Sequence, residues 1–382
     1  MPELVAIDLA QGPEFAGLLT TIWERGNAAC VVDQRLTGPA RDAQLAALAP
    51  TRAVRRLQGG ELEERQVPGG LGVEPGDALV VTTSGSTATP RAVILTHDAI
   101  AASAEATSRR LGVDPAADTW LCCIPCAHIG GLSVVARALH TETPLIVHAS
   151  FDPVAVELAA RHGATLVSLV AAALRRVEDP GLFRAIVLGG AAAPSVRPAN
   201  VVVTWGMTET GSGIVYDGVP LDGVEVAEVN GELFVRCPML ARAYRDGTAL
   251  DVVGPDGRRG WLATGDAGRI VEGVVEVHGR LADVINTGGE KVWPADVERV
   301  LARHPQVREV AVWRRPDDTW GERVVAFVVP SGEPPSLGAL RDHVEAVLPA
   351  WAAPKELVIV DAIPKSASGK VMRRLLGSAD PA

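Results

Sequence analysis

Apolar residues recur along this chain in short blocks separated by polar turns, and the blocks predict the elements. Ala78 to Val81 and Val93 to Leu95 are dense enough to be buried strands flanking a polar stretch. Thr96-His97-Asp98 reads as a helix start, and Ala99 to Leu111 as a helix covering the sheet. Trp120 to Ile124 follows as a strand, with His128 on the next turn and Gly130-Gly131 allowing close approach of a helix or ligand. Val154 to His162 is helical. Ala164 to Val170, Ala185 to Leu188 and Val201 to Thr204 are strands, the last two closing on Gly189-Gly190-Ala191 and on TWGMTETG. This alternation predicts an α/β sheet, whose ligands bind at the carboxyl ends of the strands. From Gly231 the pattern shortens to strands with turn signals. Pro294 opens a helix to His304 with Val297, Val300 and Leu301 on one face; Val307 to Trp313 and Val324 to Val329 are strands, and Leu337 to Leu348 a second helix. The first seventy or so residues show apolar helical patches and turns without a motif, and read as packing.

Composition narrows the classes. A chain of 382 residues implies two or three domains. With 36 basic and 46 acidic residues the formal charge is -10, which argues against nucleic acid as a partner. An anionic small molecule would need only a local basic pocket. The start MPELVAIDLA carries no secretory pattern, and five cysteines in this length suit a reducing compartment; the expectation is cytoplasm. Cys122, Cys123 and Cys126 lack the partners of a metal set and read as small buried hydrophobes. The longest apolar run, around Ala164 to Leu174, falls short of the ~20 residues of a membrane span.

Several segments carry candidate chemistry. Thr83, Ser84, Ser86, Thr87 and Thr89, loosened by Gly85, form a loop suited to a phosphate tail or simply a polar turn. No GK[ST] follows, so it is not a Walker loop. His128, at a strand end before two glycines, is a functional or a structural histidine. Thr208 and Glu209 fall at a strand end in the same neighbourhood as His128 and Gly190; Glu209 can bind Mg²⁺ or be a solvated carboxylate. Asp266 can accept from two vicinal hydroxyls, as on a ribose, with Arg280 at the end of the next strand. The tail AIPKSASGKVMRRLL presents Lys370 after a Ser/Gly turn.

Taken together and in this order, the segments resemble the adenylate-forming superfamily of acyl- and aryl-CoA ligases, over about Ala78 to Arg374. Thr83 to Arg91 resembles its phosphate loop TSGTTGxPKG, Gly189-Gly190-Ala191 its adenine turn and Thr204 to Thr210 its YGMTET segment. Thr264-Gly265-Asp266 resembles its ribose motif, Gly279 to Glu298 its hinge and core, and Pro364 to Lys370 its lysine motif PKxxxGK. Within it, PCAHIGGLSVVARAL and VLGGAAAP most resemble the o-succinylbenzoate-CoA ligases of menaquinone biosynthesis.

The resemblance implies a large N-terminal α/β domain of β-sheets packed with helices (1–281), and a small mobile C-terminal α+β domain carrying the lysine (282–382). It also implies ATP, Mg²⁺ and coenzyme A, and an aryl or acyl carboxylate as substrate. Thr83, Ser84, Gly85, Ser86, Thr87 and Arg91 would grip the phosphates; Gly189, Gly190, Ala191, Trp205, Gly206, Met207 and Thr208 would hold the adenylate; Asp266 and Arg280 would hold the ribose, and Glu209 the Mg²⁺. Lys370 and His128 would be catalytic. His128, Gly190 and Arg137 would line the acid pocket, Arg137 facing a second carboxylate or, alternatively, lying exposed on its helix. A homodimer is compatible. Three positions depart from the family's phosphate loop: Ala88 and Ala92 stand for glycine and Arg91 for lysine. Ala282 replaces the usual Asp or Lys at the hinge. Competing readings are a ligase for another aryl or fatty acid, and a nucleotide-binding homologue without turnover.

Overall fold

The computed structural model describes residues 1–83, 90–190, 197–365 and 371–376. The chain divides into two compact units, Met1–Val226 with Phe234–Leu262, and Ala227–Leu233 with Ala263–Ala382. The architecture is the α/β arrangement expected, with mixed sheets and covering helices.

The first unit contains two seven-stranded sheets. One runs, edge to edge, Ala243–Tyr244, Ala92–Thr96, Asp77–Thr82, Ala28–Val31, Leu4–Asp8, Arg52–Arg56 and Leu62–Gln66. Its central strands pair in parallel and are buried on both faces, which is why they read as unbroken apolar runs rather than alternating ones. Here the expectation for the N-terminal region is corrected: it supplies four strands of this sheet, of which Leu4–Asp8 and Ala28–Val31 are the apolar, buried ones, and Leu4 to Ile7 are core residues, between 0 and 2% exposed. Short strands buried on both faces lack a period of two, so periodicity alone does not separate them from helical patches.

The second sheet runs Val219–Pro220, Gly213–Tyr216, Val201–Gly206, Ala185–Gly189, Leu166–Val170, Trp120–Cys122 and Leu145–Val147. The five strands from Val201–Gly206 to Leu145–Val147 are parallel, so their carboxyl ends share one edge. Leu121, Val167, Leu169, Ile186, Leu188 and Val201 form the core on one side. The helix His97–Leu111 starts where the sequence places it: the Thr96 hydroxyl accepts from Ala99 N at 3.1 Å, and Gly112 ends the helix at φ +59°. Gly131, in the helix Ile129–His140, is obligatory for packing, because a Cβ there would meet the carbonyl oxygens of Ile124 and Pro125 at 2.5 Å. The close approach expected at this glycine pair is therefore the helix settling onto its own entry turn.

In the second unit a five-stranded sheet includes the long hairpin Val307–Asp317 and Gly321–Pro330. The helices Pro294–Leu301 and Leu337–Glu345 bury Val297, Val300, Leu301, Leu340 and Val344 against it. Each helix stops about a turn earlier than its apolar pattern suggests, and each strand runs on into polar residues. Ala282 lies on the turn Leu281–Asp283, inside this unit, and its carbonyl accepts from Arg314 at 3.2 Å. Among the described residues no helix is long and apolar enough to cross a membrane.

Candidate active site

The shared strand edge of the second sheet gathers many of the expected residues. Strand Ala185–Gly189 ends at Gly190, whose φ of +84° favours glycine. Its parallel neighbour Val201–Gly206 carries Thr204, whose hydroxyl donates to Leu188 O at 3.3 Å, and ends in Trp205 and Gly206. Gly206 is fixed by crowding, since a Cβ would stand 2.2 Å from Ser212 O. Met207 then caps the turn Thr208–Thr210, with its N–H donating to the Thr210 hydroxyl at 3.0 Å.

Glu209 sits on that turn. Its Oε1 accepts from the Tyr244 hydroxyl at 3.0 Å, and its carbonyl accepts from Ala241 N at 2.8 Å. Burial, then the carboxylate of Glu209, pushes the Tyr244 phenol well above its usual range, so it stays a donor. Among the described residues no cluster of three His, Cys, Asp or Glu side chains could hold a metal unaided. A single tethered carboxylate nevertheless fits Mg²⁺, which takes one or two carboxylates and fills its remaining positions from phosphate and water.

Of the phosphate loop, Ser84, Gly85, Ser86, Thr87 and Ala88 lie outside the described residues, as do Ala191 and Lys370. The loop's base is described: Thr83 N donates to Arg91 O at 2.7 Å, and Ala92 is buried in register with Thr82. The Arg91 guanidinium lies 3.6 Å from the centre of the Tyr244 ring and 3.5 Å from the Asp246 carboxylate, a stacking geometry a lysine would not reproduce. Around Lys370, Lys365 and Val371 form a β-bridge and Met372 N donates to Pro364 O at 2.8 Å.

His128 precedes the helix Ile129–His140 as its N-cap. Its Nε2 lies 2.8 Å from Arg35 Nη2 and 3.3 Å from Asp33 Oδ2. Arg35 in turn grips Asp33 with Nε on Oδ1 at 2.8 Å and Nη2 on Oδ2 at 2.7 Å. Burial raises the Asp33 carboxyl, but these hydrogen bonds outweigh it and hold the group well below the usual carboxylate range. Gln44 links the cluster onward: its Oε1 accepts from Asp33 N at 3.0 Å and its Nε2 donates to the Thr82 hydroxyl at 3.2 Å. Sequence reasoning missed Asp33, Arg35, Gln44 and Tyr244. The available signal was an apolar strand, Ala28–Val31, ending in VVDQR, where an α/β sheet presents its ligand groups.

Arg137 is not the exposed helix arginine of the alternative reading; it is only 3% exposed. Its guanidinium lies 5.0 Å from the Trp120 ring centre, and Nε and Nη1 have no hydrogen-bond partner among the described residues. Burial pushes its pKa down. A pocket of about 10 Å³, room for one water, lies beside it, lined by Ser103, Ile129, Ser133 and Gly211 among others. The Ser103 and Ser212 hydroxyls meet nearby at 2.6 Å.

In the second unit the structure pairs the two residues expected at the ribose. Asp266 and Arg280 face each other across an antiparallel hairpin, with Arg280 Nε 3.0 Å from Asp266 Oδ1 and Nη1 donating to Thr264 O at 2.8 Å. Asp266 N donates to the Thr264 hydroxyl at 3.0 Å. All five cysteines are free and buried, and burial pushes Cys30 and Cys123 up to about 12.

The family model for AMP-binding enzymes matches residues 2–245, and that for the AMP-binding enzyme C-terminal domain matches residues 296–370. This chain belongs to the AMP-binding enzyme family. A probable 2-succinylbenzoate–CoA ligase of Mycobacterium tuberculosis is 39% identical over 334 residues, covering 79% of this chain and 86% of that one. Among solved structures, o-succinylbenzoate CoA synthetase of Bacillus subtilis in complex with the acyl-adenylate intermediate OSB-AMP superposes with a TM-score of 0.85 at 26% identity, over 99% of this chain and 89% of that one. The same enzyme in complex with ATP and a magnesium ion gives 0.83 at 27% identity, over 98% and 89%. The adenylate-forming fold expected from the motifs is the fold observed.

Proposed function

We propose that this AMP-binding enzyme is an ATP-dependent acid–thiol ligase that adenylates o-succinylbenzoate and passes the acyl group to coenzyme A, releasing pyrophosphate and AMP. The observation that carries the choice of acid is Arg137. An arginine stays protonated even when buried, and an uncompensated buried cation is costly; an acid with a second carboxylate supplies the missing charge. The one-water pocket would let a bridging water carry that contact, which costs little relative to a direct bond. The names of the M. tuberculosis and B. subtilis relatives support the same acid.

Adenylation sets one anion attacking another, so it demands positive charge and fixed geometry rather than a strong base. Lys370 would bridge the substrate carboxylate and the α-phosphate. Thr83, Ser84, Gly85, Ser86, Thr87 and Arg91 would cradle the phosphate tail, and Glu209 would hold Mg²⁺. Bound there, Mg²⁺ would neutralise phosphate charge. Gly189, Gly190 and Ala191, with Trp205, Gly206, Met207 and Thr208, would hold the adenylate; Asp266 would accept from the ribose hydroxyls while Arg280 fixes its carboxylate. His128 and Gly190 would border the acid. Thiolysis needs Lys370 withdrawn, and the turn at Ala282, dividing 1–281 from 282–382, is the proposed pivot. Five buried free thiols suit a cytoplasmic location.

The test is ATP–pyrophosphate exchange across o-succinylbenzoate, benzoate and fatty acids, followed by CoA addition. Exchange with o-succinylbenzoate and CoA-dependent AMP release are expected. Exchange with other acids alone would move the assignment to another ligase, and none with any acid would favour a nucleotide-binding homologue.

A further inference from the structure

The contacts of His128 settle more than its location. Arg35 Nη2 carries two hydrogens. One is committed to Asp33 Oδ2 at 2.7 Å, and the second faces His128 Nε2 at 2.8 Å. A guanidinium does not give up its protons in proteins, so a ring nitrogen at that distance has to offer a lone pair. The 3.3 Å approach of Asp33 Oδ2 to the same nitrogen makes the opposite demand, for an N–H. It is the longer of the two contacts, and that oxygen already accepts from Arg35.

We infer that Arg35, held in place by Asp33, fixes His128 as the neutral tautomer protonated at Nδ1, so that the imidazole serves the site as a hydrogen-bond donor through Nδ1 and is not available as a base through Nε2. Arg35 and Asp33 are then positioning residues for His128. A ring nitrogen's proton is set by the bond its other nitrogen makes, and both members of this device come from the turn after strand Ala28–Val31, far in sequence from the histidine. Among the described residues Nδ1 has no hydrogen-bond partner, which leaves its N–H for an oxygen acceptor such as the acyl carboxylate or the carbonyl of the adenylate. That last step rests on the ligase reading; the tautomer does not.

The experiment is long-range ¹H–¹⁵N correlation spectroscopy on the ¹⁵N-histidine-labelled free protein near pH 8, with His128 assigned by its loss in His128→Gln. An unprotonated Nε2 and a protonated Nδ1 are expected. A protonated Nε2, or a ring protonated on both nitrogens, would overturn the inference in the unaltered protein, whatever the variants do. In Arg35→Met the ring should switch to Nε2–H facing Asp33, with kcat for pyrophosphate exchange falling about tenfold or more and KM for ATP little changed. Arg35→Lys, which restores a donor, should recover part of the original tautomer. An unchanged tautomer in Arg35→Met would remove Arg35 from the role. Failure of the ligase reading would show separately, as absence of exchange in the unaltered protein.

Discussion

The Tyr244 hydroxyl donates to Glu209 Oε1 at 3.0 Å while the Arg91 guanidinium covers the face of the same tyrosine ring at 3.6 Å. One aromatic side chain therefore orients both the carboxylate proposed to hold Mg²⁺ and the cation that stands at the lysine position of the phosphate-loop motif TSGTTGxPKG. Removing the partner that orients a metal-holding carboxylate commonly weakens metal binding tenfold or more. Tyr244→Phe is expected to raise the Mg²⁺ concentration needed for half-maximal pyrophosphate exchange by about that factor. A Mg²⁺ titration of both proteins decides it, and identical curves would detach Glu209 from the metal.

Arg137 should show opposed effects on stability and selectivity. Replacing a buried cation that has no ion-pair partner among the described residues with an apolar side chain of similar length is expected to stabilise the fold by about 1–3 kcal/mol. Arg137→Met should therefore unfold a few degrees higher on heating, while its KM for o-succinylbenzoate rises and that for benzoate does not. Equal changes in the two KM values would take Arg137 out of the acid pocket.

Asp33 supplies a pH dependence with a defined sign. Its folded pKa is lowered, so its contribution to stability is fully present above the unfolded value of about 3.9 and is lost as pH falls toward the folded one. Urea unfolding between pH 3 and 6 should show a shallower acid-side loss in Asp33→Asn than in the unaltered protein. Parallel profiles would mean that the carboxyl has the same pKa folded and unfolded.

Arg373 ties the chain just beyond the lysine to the interior of its own unit. Its Nη2 reaches both Glu298 oxygens at 2.7 and 2.8 Å, Nη1 lies 3.5 Å from Asp283, and Nε donates to Val312 O at 3.3 Å. Losing one member of a fully buried pair costs about 3–5 kcal/mol, and this half-buried pair should cost less. Arg373→Ala should lower the melting temperature, and Glu298→Gln should recover part of it; no recovery in the double variant would show that the two side chains do not depend on each other.

Lys370→Ala should abolish pyrophosphate exchange while preserving thiolysis of preformed acyl-adenylate. Measuring both half-reactions tests this, and equal losses would refute the bridging role.

Much of this was legible because the family's motifs are local. Gly189-Gly190 and TWGMTETG each lie within a few residues of a strand end, so their order alone placed them on the parallel sheet, whereas TGD lies inside the strand Leu262–Val271 of an antiparallel hairpin. The Asp266–Arg280 pair sits on a hairpin, with Asp266 in the middle of the strand Leu262–Val271 and Arg280 at the end of Val274–Arg280. What escaped depends on distant segments. Nothing near His128 announces Arg35, and nothing near Glu209 announces Tyr244, because those contacts exist only once non-neighbouring strands have paired. The burial of Arg137 was hidden for a different reason: its helix is apolar on most sides, so the pattern assigns no face to solvent.

The strand Ala243–Tyr244 closes the edge of the first sheet against Ala92–Thr96, yet it is made only after every strand of the second sheet. During synthesis the N-terminal sheet must therefore wait, with an unpaired edge exposed, until its last strand emerges from the ribosome. Exposed edges are templates for mispairing, so fragments ending before Ala243 should aggregate where fragments extending past the strand do not. The tyrosine that braces Glu209 arrives on the same strand, which makes completion of the turn that carries Glu209 one of the last events in building the first unit.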